Sequence, residues 1–251
     1  MVAEPPGPLK PLLPACRHGS MVAMSPVNAD ILALVYFIAA WLAYSFLVER
    51  TAHGSHSLNA LMNGYRDRWM DELLGRETRI VDSQVTAALQ NGTAFFASTS
   101  LIAIGGALAM LRSSEQVLSV VAYLPFTSPP TQNQWEFKLL GLTVIFVYAF
   151  FKFAWSYRLY NYVAIMIGAA PPREEKDTRH AKMFAHRTAQ ICADAGRHFN
   201  RGQRAFFFAL GYLGWFLGPL PLVVATTGVV IVMWRRQFRS ASRLAFEHQP
   251  E

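Results

Sequence analysis

Ala205–Trp234, AFFFALGYLGWFLGPLPLVVATTGVVIVMW, runs for 30 residues without a charged side chain. As one helix it would measure about 45 Å, well beyond the roughly 30 Å hydrocarbon core of a bilayer. Its middle reads Gly218-Pro219-Leu220-Pro221. Proline removes a backbone donor and clashes with the preceding turn, so a helix break is expected at Gly218, Pro219 and Pro221. Two geometries remain: one tilted, kinked helix that crosses once, or two half-helices that form a hairpin and return to the starting side.

Three further apolar runs lie upstream: 31–48, closed by Glu49-Arg50; 93–111, ended by Arg112; and 137–155, continuing into Tyr157, Tyr160 and Tyr162 as an interfacial aromatic belt. Hydrophobic residues make up 53% of the chain and charged residues 16%, against about 25% charged in a soluble domain. The fold class that follows is all-α: a polytopic helical membrane protein with four apolar segments (31–48, 93–111, 137–155, 205–234) and amphipathic loop helices, all in one transmembrane domain over 30–239. Residues 1–29 are Pro-rich and aperiodic and read as a disordered or mis-annotated extension, with Met21 or Met24 as the expected start; 240–251 form a C-terminal tail.

The 251-residue chain has a net charge of +7. In a soluble protein that would raise nucleic acid as a partner, but here the cations flank apolar runs, where they set orientation and meet anionic headgroups. No nucleic-acid partner is expected. The first inter-span loop holds Arg50, Arg66, Arg68, Arg76 and Arg79, the second only Arg112, and the third nine Lys and Arg from Arg158 to Arg204. Excess Lys and Arg mark cytoplasmic loops, so the first and third loops are expected inside and the N-terminus outside. A single final crossing would strand Arg235, Arg236, Arg239 and Arg243 outside. The charge rule therefore leans toward the hairpin, in which each half is short for a full span.

From Leu58 to Leu89 the apolar positions recur at helical spacing. The opposite face carries Arg68, Glu72 and Arg76 as an i,i+4 ladder, and Asp71, Glu72, Glu77 and Asp82 read as solvated ion pairs rather than metal ligands. The third loop opens with Pro171-Pro172-Arg173-Glu174-Glu175, suited to a helix start. Beyond it Lys176, Arg179, His180, Arg187, Arg197 and Arg201 fall on one face and Phe184, Thr188, Ile191, Ala195 and Phe199 on another, with Gly196 and Gly202 as candidate breaks. This basic amphipathic helix either packs on the bundle and anionic headgroups, or forms an anion site from Arg197, His198 and Arg201. The separated Cys16 and Cys192, and histidines without an i,i+4 pair, imply neither a disulfide framework nor a metal site, and no cofactor motif occurs.

Charged groups at membrane depth are functional candidates. Lys152 is flanked one turn away by Tyr148 and Ser156; its stem either snorkels to the basic side or serves internally. Thr99, Ala103 and Ala107 repeat at i,i+4 as a small-residue stripe for helix packing.

Several blocks carry a resemblance: Tyr65-Arg66 with Trp69-Met70, Arg79-Ile80-Val81-Asp82, Phe95 to Thr99, Phe146 to Arg158, and Arg197-His198-Phe199-Asn200-Arg201-Gly202. From about Asp30 to Arg239 the chain resembles the bacterial branch of the domain of unknown function 599 family. The resemblance implies a multi-span protein of the bacterial inner membrane and no activity that transfers residue by residue.

Three function classes stand. A non-enzymatic accessory, assembly or scaffold component fits the small-residue stripe and amphipathic loops, with the bilayer, anionic headgroups and a membrane-protein partner as its contacts. A channel or transporter subunit fits the broken last segment and requires a homo-oligomer. An enzyme acting on an anionic or lipid substrate would need convergent titratable groups, for which Lys152 with Arg158, Arg197 and His198 is the candidate constellation.

Overall fold

The computed structural model describes residues 26–50, 57–121 and 131–239; the expectations for 1–25 and 240–251 lie outside them. Among the described residues seven α-helices follow in order: α1 Pro26–Arg50, α2 Leu58–Leu74, α3 Ile80–Arg112, α4 Ser114–Val121, α5 Gln132–Gly168, α6 Arg179–Leu213 and α7 Pro219–Phe238. Four of them, α1, α3, α5 and α7, are long and apolar enough to cross a membrane. The fold is all-α and polytopic. Side chains start the helices where the chain must turn. Ser57, Thr131 and Thr178 each accept a hydrogen bond from the backbone N–H three residues on, satisfying donors that the first turn leaves unpaired.

α5 is the axis. It packs against α3 on one side and α6 on the other, while α1 rests on α7 and α2 on α6. At 37 residues α5 is about 55 Å long, far more than an apolar layer needs. Two polar collars bracket the apolar part of the bundle. At one end Trp215 donates its Nε1–H to Asp30 (2.7 Å), and buried Lys138 donates to the Trp215 carbonyl (2.9 Å). At the other, Arg201 and Arg204 bind Glu49. Asp30 and Glu49 stand on the same helix 19 residues apart, about 29 Å, the thickness of a hydrocarbon core.

The final apolar stretch is a hairpin. α6 runs unbroken into the layer, a 3-10 turn over Gly214–Phe216 follows, and α7 returns. The Arg236 guanidinium lies 5.3 Å from the Phe207 ring and 3.5 Å from Gln203, so the end of α7 is level with the start of the apolar part of α6. Gly218 takes φ 135°, accessible to glycine, and Pro219 is the first residue of α7. The prolines therefore open a helix rather than kink one. At Gly214 a Cβ would sit 2.6 Å from the Pro221 carbonyl oxygen, so the two arms meet backbone to backbone.

Beyond the basic collar, α2 and the adjoining parts of α3, α5 and α6 form a protruding bundle. Several expectations change there. The 58–89 periodicity is divided between two helices: the Gly75 N–H caps α2 on Glu72 and Leu73, and α3 starts at Ile80. Arg76 leaves the ladder to pair with Asp82, which is fully buried and also accepts from Trp69 (2.7 Å), so Asp82 is not a solvated acid. Glu77 pairs with Arg173 across the bundle. Gly196 and Gly202 do not break α6. They are points of close approach, for the Arg66 guanidinium and the Phe153 ring respectively.

Candidate functional site

The basic collar gathers most of the chemistry-bearing residues. Glu49 ends α1. Arg201 and Arg204, three residues apart, share one face of α6 and reach it together, with Arg201 bidentate at 3.0 and 2.5 Å. The hydrogen bonds to Glu49 hold the Arg201 guanidinium above its usual range.

Tyr148 and Lys152, one turn apart on α5, continue the collar. The Lys152 ammonium stands 5.1 Å from the Tyr148 ring centroid, and that ring meets Trp41 edge-on at 5.9 Å. His198, one turn before Arg201, lies beside Trp155 at 6.3 Å. Burial depresses its pKa first, and the nearby charges of Lys152, Arg201 and Arg197 add to that. Lys152, Tyr148, His198 and Arg201 thus come together. Arg158 joins them only through Trp155, over whose ring it lies at 5.9 Å while donating to the Tyr162 hydroxyl. Arg197 is drawn aside by an ion pair with Asp194.

Between α1, α2, α6 and α7 the collar lines an open cavity of about 50 Å³. Tyr44, Asn200, Gln203, Arg204, Arg236 and Gln237 supply its polar wall, and Phe207 and Met233 its apolar one. Sequence reasoning missed this cluster. Glu49 read only as the end of a span, and Arg204 and Arg236 only as flanking charge. The available signal was an acid at a span end opposite loops rich in arginine.

The other marked residues serve packing. The hydroxyls of Thr86, Thr93 and Ser100 donate to their own helix's carbonyls four residues back. With Ala107 they form the buried seam of α3, whereas Thr99 and Ala103 lie beside it, only half-buried. In the protruding bundle, burial raises the pKa of the Cys192 thiol, which the Arg66 side chain contacts. Among the described residues no three His, Cys, Asp or Glu converge on a point that would hold a metal ion.

Against known proteins, the family described as "Protein of unknown function, DUF599" matches residues 32–242. No curated protein and no solved structure matches the chain.

Proposed function

The chain belongs to the DUF599 family, and on that premise we propose that it is a non-enzymatic accessory or assembly component of the bacterial inner membrane, working by binding another membrane protein. The observation that carries this reading is the outer face of α3. Ile80 (66% exposed), Val81 (62%), Val85 and Leu89 form an uncovered apolar stripe. Phe96 stacks on Phe153 (5.3 Å), whose ring also meets Gly202, so Phe96 is level with the basic collar. Val81 lies 15 residues before it, about 22 Å beyond the apolar layer. Lipid tails do not cover a helix at that distance, and contiguous exposed apolar surface there marks an interaction face. Lys138 at the far collar meanwhile donates to the Trp215 carbonyl, and the Ser100 hydroxyl in α3 to its own helix.

The test is native mass after gentle extraction from the host membrane, for the wild type and for Val81→Glu with Val85→Glu. A stoichiometric foreign subunit in the wild type, lost in the double variant, is expected. A homo-oligomer that survives the double variant overturns the reading and favours a pore. In orientation, we propose that the basic bundle is cytoplasmic and the start of α1 outside, because Lys and Arg gather on one side. The hairpin then returns the C-terminus to the cytoplasm. A reporter fused after Glu251 should be active there; a periplasmic signal reverses the assignment.

A further inference from the structure

The basic collar offers more donors than its own acids can use. The cavity at its α1–α7 corner is lined by Arg204 and Arg236, by Asn59, Asn200, Gln203 and Gln237, and by Tyr44, and among the described residues no Asp or Glu lines it. Glu49 touches Arg204 from the side but is shared with Arg201. Three arginines against one glutamate leave two positive charges. The Gln237 Nε2 is enclosed and has no hydrogen-bond partner, the condition of a donor waiting for an acceptor. Arg236 has the Gln203 carboxamide and the Phe207 ring beside it, and no acid pairs with it among the described residues.

We propose that this cavity binds a phosphate group, carried by an anionic lipid or free in solution. Size narrows the ligand. A volume of about 50 Å³, at roughly 10–15 Å³ for each water-sized centre, holds about four oxygen-sized positions, as many as a phosphate has. Guanidinium forks match the paired oxygens of phosphate, and carboxamide N–H groups supply the remaining bonds. Position fits as well. The site lies level with the basic collar, where a leaflet carries its phosphates, and Phe207 and Met233 wall its apolar side. The inference is independent of the partner-binding stripe on α3.

The experiment is thermal unfolding of the purified full chain in neutral detergent, titrated with phosphatidic acid, phosphatidylcholine or inorganic phosphate. Arg236→Gln and Gln237→Leu are the test variants. Arg236→Lys keeps the charge if the glutamine variant misfolds, and Arg187→Gln removes an exposed charge elsewhere. The midpoint should rise with phosphatidic acid, with an apparent affinity about 10-fold weaker in Arg236→Gln and Gln237→Leu, the equivalent of one lost charge-assisted bond. Arg187→Gln should behave as wild type. A rise with inorganic phosphate as well identifies the free ion as a ligand; a rise with the lipid alone identifies the headgroup. The proposal falls if no phosphate source shifts the midpoint, or if Arg187→Gln weakens the response as much as the cavity variants.

Discussion

Within the apolar layer the core is built on interlocking rings, whereas beyond the basic collar a row of alanines on α6 packs against aliphatic side chains of α2 and α5. Phe37, Phe153, Phe208, Tyr212 and Trp215 are all buried in the layer, with Trp41 stacked on Phe208 at 5.2 Å and Phe37 edge-on to it at 5.8 Å. In the protruding bundle α6 instead buries Ala181, Ala185, Ala189, Cys192 and Ala195 against α2 and α5. The physics of each side favours its filling. Lipid tails are as apolar as the helices, so helices in the layer gain little from leaving solvent and must gain from contact, which large interlocking rings supply. Outside the layer water drives burial, and small side chains let helix backbones approach closely.

If the filling differs, the two cores should fail in opposite ways. Phe208→Ala empties a fully enclosed site in the layer and should cost about 3–5 kcal/mol, the usual range for such a truncation. Ala189, 1% exposed, should tolerate shortening and resist enlargement: Ala189→Leu forces α6 from its neighbours, at a cost of about 1–3 kcal/mol. Unfolding of both variants in mixed micelles checks the pair. A silent Ala189→Leu would mean that α2 docks loosely, and the contrast between the cores would be lost.

The contrast was only partly legible in the sequence. Spans announce themselves because hydropathy accumulates along the chain, so four apolar segments were readable without any contact being known. Register was harder. The stripe Thr99, Ala103, Ala107 advances four residues at a time and rotates about 40° per step, while the buried seam Thr86, Thr93, Ser100, Ala107 advances seven and drifts only about 20°. Both look equally small and polar, yet only the second stays on one face over the length of α3. Gly75 ends α2 although the apolar period continues through it. The collar was invisible for another reason: Glu49 meets Arg201 across 152 positions, and one sequence carries no record of that pairing. Asp82 looked solvated because its burial depends on Trp69 and Arg76 folding over it.

The smallest expected effect sits at the seam between the two cores, where His198 faces Lys152, Arg201 and Arg197, with Glu49 opposing them. Burial first, and those cations next, hold its folded pKa below the ordinary 6.5. The unfolded chain therefore takes up the proton at a higher pH than the folded one. The neutral imidazole contributes its stability in full above about pH 6.5, and that contribution is lost as pH falls through the depressed folded value. Acidification from about pH 7.5 to 5.5 should lower the melting temperature of the wild type more than that of His198→Asn, which keeps a polar group but cannot titrate there. Identical losses in the two proteins would place the acid sensitivity elsewhere.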